Sequence, residues 1–75
     1  MNLLLIDDDK LLRSQIRFSI ESLFTEIYEA SNKLEAFRLI IDKEIDIALV
    51  DLHLENELDG QDIAKDTEAN NIKTF

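Results

Sequence analysis

The sequence predicts an α/β fold in which helices cover both faces of a doubly wound parallel sheet. Apolar runs at residues 3–6 and 45–50 have the length and composition of strands that are buried on both faces. Segments whose apolar residues recur at helical spacing alternate with these apolar runs. The order β-α-β-α-β-α, with a further strand beginning near residue 72, implies parallel strands joined by right-handed crossovers.

The first helix is predicted over residues 10 to about 23, directly after the first strand. Apolar residues recur there at helical spacing, which indicates an amphipathic helix with one face on the sheet. We expect Leu12 and Phe18 to lie in the core. Lys10 and Arg13 are expected on the solvated face of the helix rather than at a phosphate site.

Local signals also define the second strand and the second helix. Residues 26–30 are rich in β-formers and predict a strand. Asn32 and Glu35 resemble a capping box, because Asn32 can accept from free amides of the first turn while Glu35 reaches back three residues. The helix that begins there is expected to place Phe37 in the core.

The last third of the chain carries weaker signals. Residues 52–60 are predicted to form a polar loop, and a third helix is predicted from Gln61 to about Asn70. The apolar face of this helix is narrow, and Gln61 and Thr67 fall where core contacts are expected. Residues 72–75 are predicted to begin a fourth strand.

Composition limits the classes of function. A chain of 75 residues is one domain at most. Its 17 acidic and 8 basic residues give a net charge of −9, which argues against binding nucleic acid through this chain. The absence of cysteine excludes disulfides and thiolate metal sites. The apolar start is too short for a membrane span and lacks a signal peptide's basic region, so we expect a cytoplasmic protein.

Carboxylates follow two predicted strands at the points where the strands end. Asp7 and Asp8 come after the first apolar run, and Asp51 comes after the run at 45–50. Ligands of doubly wound sheets bind beyond the carboxyl ends of the strands, so these acids would converge if the two strands are neighbours. Like charges ~4 Å apart cost roughly 1 to 4 kcal/mol for each pair, and a hard cation such as Mg²⁺ would remove that repulsion. Asp9 is expected to cap the first helix instead.

Several motifs together carry a family resemblance. They are Leu-Leu-Ile-Asp-Asp-Asp-Lys-Leu-Leu-Arg at 4–13, Tyr-Glu-Ala-Ser-Asn at 28–32, Ile-Ala-Leu-Val-Asp-Leu-His-Leu at 47–54, and Asp59-Gly60. In this combination the sequence resembles the receiver domain of two-component response regulators, and the similarity covers essentially the whole chain. The resemblance implies a flavodoxin-like receiver fold for residues 1–75, with Asp59-Gly60 at the turn that opens the third helix.

The resemblance also implies roles for individual residues. Asp51 corresponds to the phosphoacceptor, which would receive a phosphoryl group from a histidine kinase or phosphotransfer protein. Asp7 and Asp8 correspond to the acidic pair that binds Mg²⁺, with Asp8 as the more direct ligand. His53 corresponds to the residue whose backbone carbonyl completes the metal site, so its imidazole is not expected to be a ligand. Such a domain is not an enzyme, since the phosphoryl group goes to its own aspartate.

The end of the chain departs from the family pattern. Receivers have five strands in the order 2-1-3-4-5, with a signalling Ser or Thr after the fourth and an essential Lys after the fifth. Both positions would lie past Phe75, so the resemblance implies a receiver truncated at the start of the fourth strand. Thr74, Lys65 and Lys73 stand at the wrong places to substitute for them.

Three functions remain open at this point. The first is a phosphoacceptor module, and the second is a non-switching interaction or dimerisation module derived from a receiver. A third, a Mg²⁺-dependent phosphatase or phosphotransferase, is weaker because His53 rather than an acid stands two residues after Asp51. Truncation would leave the third strand at the sheet edge or nearly so, which favours either a homodimer formed by strand pairing or exchange, or a fragment that another polypeptide completes.

Overall fold

Strands and helices alternate along the chain in the computed structural model, which describes residues 1–51 and 57–75. A short 3₁₀ helix, Glu21–Leu23, follows the first α-helix. The elements are β1 (Asn2–Ile6), α1 (Lys10–Ile20), β2 (Glu26–Ala30), α2 (Lys33–Asp42), β3 (Ile47–Val50), α3 (Glu57–Ala69) and β4 (Lys73–Thr74). None of the helices among the described residues is long and apolar enough to cross a membrane.

The four strands form one parallel sheet in the order β2-β1-β3-β4. β1 therefore lies between β2 and β3, as the predicted doubly wound fold requires. Pairing continues beyond the strand ends, because the Asp7 amide donates to the Ala30 carbonyl at 3.0 Å and the Asp51 amide donates to the Ile6 carbonyl at 2.9 Å. The predicted fold class is confirmed, and Asp7 and Asp51 end neighbouring strands.

Helices cover both faces of the sheet because side chains along β1 alternate between two hydrophobic clusters. Leu3 and Leu5 pack on one face, which α1 covers through Ile16 and Ile20. The other face holds the larger cluster, to which α2 and α3 contribute. Its buried members are Leu4, Ile6, Ala30, Ala36, Ile40, Ala48, Ile63 and Ile72, and the half-buried Phe37 packs against them.

The first helix is less buried than its sequence pattern predicts. Phe18 is 81% exposed and Leu12 is 44% exposed, so the prediction that both lie in the core is wrong. Only the stripe of α1 that contains Ile16 and Ile20 contacts the sheet. A second helix beside α1 would widen the buried stripe, but α2 and α3 pack on the opposite face.

Helix α3 begins at Glu57, four residues before the predicted start at Gln61. Asp59 and Gly60 therefore lie within the helical backbone and not at a turn that opens it. Thr67 is fully buried, as its position in the pattern predicts, whereas Gln61 is exposed and the prediction of a core contact there is wrong. The Thr67 hydroxyl lies 2.9 Å from the Ala64 carbonyl and 2.5 Å from the Thr74 hydroxyl, so this core contact is polar and joins α3 to β4.

The third strand is shorter than predicted and has one strand outside it. β3 begins at Ile47, and just before it Asp46 contacts the start of β1, where its carboxylate accepts the Asn2 amide at 2.7 Å. β4 pairs with β3, and the Phe75 amide donates to the Ala48 carbonyl at 2.8 Å. The edges of the described sheet are therefore β2 and β4, and β3 lies one strand inside β4.

Candidate metal centre

Three carboxylates meet at the carboxyl edge of the sheet. Asp7 ends β1, Asp51 ends β3 and Asp8 begins the turn into α1, and each offers an oxygen within 4.8 Å of the others. Asp7 is only 5% exposed, Asp51 is half-buried and Asp8 is exposed. The structure thus brings together the three acids that the sequence analysis placed at one edge.

Local hydrogen bonds explain how the chain turns at this corner. The Asp9 amide donates to Oδ1 of Asp7 at 2.9 Å, which holds that carboxylate close to its own main chain. Oδ1 of Asp9 in turn accepts the Leu12 amide at 3.1 Å. Asp9 is therefore the N-cap of α1, as predicted, and it lies outside the carboxylate cluster.

Burial raises the pKa of Asp7, because a carboxylate loses hydration when it is removed from water. The Asp9 amide opposes this rise by stabilising the charged form. The charge of Asp51, a side-chain hydrogen bond with Asp51 and the charge of Asp8 all raise the pKa of Asp7 further. The cluster is therefore short of positive charge, and a divalent cation would supply it.

The donor set fits Mg²⁺ on chemical grounds. Magnesium is a hard cation that takes oxygen ligands and is usually held in proteins by one or two carboxylates with water. The cluster offers carboxylate oxygens at different degrees of exposure, so a partly hydrated ion would have ligands on its protein side and solvent on the other. His53, which the family resemblance adds through its carbonyl, lies outside the described residues.

Arg13 approaches the same corner from α1. Its Nη1 donates to the Asp7 carbonyl at 2.5 Å, and its Nε donates to Oε1 of Glu29 on β2 at 2.9 Å. Only 12% of the Arg13 side chain is exposed, so the prediction of a solvated position is wrong. Lys10, the other basic residue in this prediction, is exposed.

Arg17 completes a small ion-pair network with Glu29. Nη1 of Arg17 lies 2.5 Å from Oε2 of Glu29. Burial alone would raise the pKa of Glu29, but hydrogen bonds and charges from Arg17 and Arg13 lower it overall. Sequence reasoning missed this network. The available signal was Glu29 itself, an acid inside a predicted strand that pairs with the apolar β1.

An open cavity of about 200 Å³ adjoins Asp7 and Asp51. Its walls are mostly apolar and come from β1, β3, α1 and Phe75; they include Leu5, Ile16, Leu49 and Val50. Two larger cavities, of about 300 and 430 Å³, lie at the amino ends of the strands and away from the acids. Of these three cavities, the smallest is the one that adjoins the carboxylate cluster.

Comparison with solved structures shows what this arrangement is similar to. The structure of the MaeR response regulator bound to beryllium trifluoride superposes with a TM-score of 0.86 at 23% sequence identity, covering 100% of this chain and 64% of that one. The chain has a receiver fold. An aspartate-to-alanine mutant of MaeR bound to sulfate superposes with a TM-score of 0.82 at 22% identity, covering 99% of this chain and 63% of that one.

These comparisons support the resemblance at the level of the fold. The chain spans slightly less than two-thirds of the length of either neighbour, with 64% and 63% covered. A scan against models of protein families found no match. A search of curated proteins found none either. The receiver fold therefore places Asp7, Asp8 and Asp51 at the sheet edge where doubly wound proteins bind their ligands.

Proposed function

We propose that this chain is a phosphoacceptor receiver module of a two-component phosphorelay, with Asp51 as the residue that accepts the phosphoryl group. One observation carries the proposal. In a receiver fold, Asp51 ends β3 directly beside β1, and its carboxylate lies in a cluster with Asp7 and Asp8. An acceptor aspartate and two further acids are what Mg²⁺-dependent phosphoryl transfer to a carboxylate needs.

The reaction is a displacement at phosphorus. A carboxylate oxygen of Asp51 forms a bond to the phosphorus atom, and the bond from phosphorus to the donor breaks, so that the donor leaves with the electron pair. Asp7, Asp8, Asp51 and the His53 carbonyl would hold Mg²⁺. When bound, the ion would neutralise the acids and the phosphoryl oxygens. The module is not an enzyme in this proposal, because its own Asp51 carries the product.

The ligands of the structural neighbours support this chemistry. The MaeR regulators are described with beryllium trifluoride in one structure and with sulfate in the other. Both ligands are small anionic groups that resemble a phosphoryl group in shape and charge. By analogy of fold, the open side of the Asp51 cluster is where this chain would receive a phosphoryl group.

The proposal includes the partners of the module. Its phosphoryl donor would be a histidine kinase or a phosphotransfer protein in the cytoplasm. The net charge of −9 suits a partner with a basic docking surface and disfavours nucleic acid. Both statements remain predictions about this chain.

A Mg²⁺ titration followed by NMR, and then addition of acetyl phosphate, tests the proposal. We expect Mg²⁺ to shift the amide resonances of Asp7, Asp8 and Asp51, and acetyl phosphate with Mg²⁺ to add one phosphoryl group by mass spectrometry. Asp51→Asn should abolish the mass gain, and Asp8→Asn should weaken Mg²⁺ binding. Asp9→Asn is the matched control, because Asn keeps the helix cap and Asp9 lies outside the cluster.

Each outcome has a definite meaning. Metal binding without phosphorylation would support the second candidate, a non-switching module derived from a receiver that keeps the metal site, and would reject phosphoryl transfer to Asp51 in this chain. If Mg²⁺ produced no shift at the three acids, the metal centre itself would be rejected. A mass gain that persists in Asp51→Asn would place the acceptor on another residue.

The sheet edge favours a second candidate, a non-switching interaction or dimerisation module. β4 is one of the two outer strands of the described sheet, and Phe75 next to it is 63% exposed. Outer strands offer unpaired amides and carbonyls to a second chain. Sedimentation equilibrium decides this candidate: a homodimer is expected, whereas a monomer at micromolar concentration with one cooperative unfolding transition would exclude it.

A further inference from the structure

Asp7 is held at three points, two on its main chain and one on its side chain, and two of the partners lie on other elements, β2 and α1. Its amide donates to Ala30 on β2, and its side chain accepts the Asp9 amide. Its carbonyl accepts from Nη1 of Arg13 at 2.5 Å. This carbonyl lies beyond the last residue of β1, so the Arg13 bond fixes the point where the chain leaves the sheet and enters the acidic turn.

Arg13 is itself fixed in place. Its Nε donates to Oε1 of Glu29 at 2.9 Å, and Arg17 contacts the other oxygen of that carboxylate. Glu29 lies on β2 directly opposite Leu5 in the parallel register. The planar guanidinium of Arg13 therefore links α1, the end of β1 and β2, which an arginine can do because its donors point in fixed directions.

We propose that Arg13 is a positioning residue for the magnesium site, which holds the Asp7 backbone so that the Asp7 and Asp8 carboxylates face Asp51. The inference rests on the proposed Mg²⁺ site. Groups that orient metal ligands through a second layer of hydrogen bonds commonly control metal affinity as strongly as a ligand does. Arg13 acts here on the main chain that carries two of the three acids.

The positive charge of Arg13 and its positioning role predict opposite changes in Mg²⁺ affinity when Arg13 is replaced. A guanidinium near the cluster repels a divalent cation, so its removal would strengthen Mg²⁺ binding if Arg13 acted only through its charge. The positioning role predicts that its removal weakens binding. The sign of the change in Mg²⁺ affinity therefore separates the two roles.

Mg²⁺ titrations of the whole chain by NMR provide the first test. We expect Arg13→Met to weaken Mg²⁺ binding about tenfold, as for other residues that orient metal ligands. Arg13→Lys should lose most of the same affinity, because an ammonium keeps the charge but cannot reproduce the two-directional contact. Arg17→Met is the matched control: it removes a contact to the same Glu29 from a more exposed residue, and should change affinity by less than about twofold.

Amide hydrogen exchange without Mg²⁺ provides a second test that does not depend on the metal. The Asp9 amide donates to the Asp7 carboxylate, so its protection reports whether the turn keeps its geometry. In Arg13→Met we expect its exchange to accelerate about tenfold while amides of β1 keep their protection. Arg17→Met should leave the Asp9 amide unchanged.

The two tests distinguish failure of the positioning role of Arg13 from failure of the proposed Mg²⁺ site. A folded Arg13→Met or Arg13→Lys chain that binds Mg²⁺ as tightly as the unmodified chain, or more tightly, would overturn the positioning role. Unchanged Asp9 exchange in both variants would overturn it as well. If the unmodified chain binds no Mg²⁺, the proposed site fails, and Asp9 exchange still decides whether Arg13 holds the turn.

Discussion

Asp7 is the residue where folding and the proposed function conflict. Its carboxyl group is 5% exposed and lies within 4.8 Å of the ligand oxygens of Asp8 and Asp51. Burial and neighbouring negative charge both penalise its ionised form. Acids whose ionised form is penalised in this way cluster at functional sites, which is the basis for proposing a cation site at this corner.

Replacing Asp7 by Asn should therefore stabilise the cation-free chain. We expect Asp7→Asn to raise the free energy of unfolding by about 1–2 kcal/mol at pH 7, because one charge of the repelling cluster is removed. The amide oxygen of Asn can still accept the Asp9 amide. Urea denaturation in chelator measures the change, and Asp9→Asn should differ from the unmodified chain by less than about 0.5 kcal/mol.

The advantage of Asp7→Asn should also disappear in acid. The pKa of Asp7 is raised in the folded chain above its ordinary value of 3.8, so the folded state binds this proton more tightly than the unfolded state. Its contribution to stability is fully present below 3.8 and is lost as the pH rises through the raised pKa. Urea denaturation of both chains between neutral pH and about pH 4 should show converging stabilities; a constant difference would contradict this.

The pKa shift of Glu29 has the opposite sign to that of Asp7. The pKa of Glu29 is lowered from the ordinary 4.5, so its contribution is present above 4.5 and is lost as the pH falls through the lowered value. The contribution of Glu29 to stability is the same in the unmodified chain and in Asp7→Asn. It cancels in their difference, which makes the comparison specific to Asp7.

Among the elements, α1 shows how a sequence pattern can overstate burial. Ile16 and Ile20 contact the sheet, but Phe18 lies two residues from Ile16 and therefore points away from it. On α3 the relation is reversed. Its pattern is weak, yet Ile63 is fully buried in the cluster that α2 and the sheet share, and Thr67 is fully buried beside Thr74 of β4.

Two substitutions measure this contrast. Phe18→Ala should change the free energy of unfolding by less than about 0.5 kcal/mol, because the ring is 81% exposed. Ile63→Val should cost about 1 kcal/mol, since it removes a methyl group from a fully packed site. Urea denaturation of both variants makes the comparison. A loss of several kcal/mol in Phe18→Ala would show that a partner or a second copy covers α1 in solution.

For the whole molecule, the proposed metal centre would couple distant parts of the chain. Asp7 and Asp51 end strands that are joined through two crossovers, so an ion held by both would link the halves of the sheet. A small domain gains little stability from its own core. Ligand binding to the folded state alone is therefore a large addition to its stability.

Mg²⁺ should raise the thermal stability of the chain. At a free concentration 100 times its Kd, the ion adds about 2.7 kcal/mol to the free energy of unfolding. For a domain of this size, that corresponds to an increase in Tm on the order of 10 °C. Calorimetry with Mg²⁺ and with chelator measures the increase. Asp8→Asn should lose most of it while folding normally, because Asp8 is exposed; an equal rise in Asp8→Asn would contradict the site.

Sequence alone determined the features that depend on neighbouring residues. The Asp9 and Asn32 caps, the strand at Glu26–Ala30 and the apolar run of β1 were all predicted, because capping and alternation are local. At the second helix, Glu35 accepts from the Asn32 side-chain amide at 3.0 Å and from the Ser31 hydroxyl, a variation on the predicted box. The same locality placed Asp7 and Asp51 at strand ends.

Tertiary structure decided everything that depends on which surfaces meet. The exposure of Phe18 follows from the face on which α2 and α3 pack, and the burial of Arg13 follows from a partner, Glu29, 16 residues away. No local rule contains either fact, because contact energy comes from segments that meet only after folding. The sequence predicted acids at the ends of two strands, and strand order β2-β1-β3-β4 made those ends adjacent.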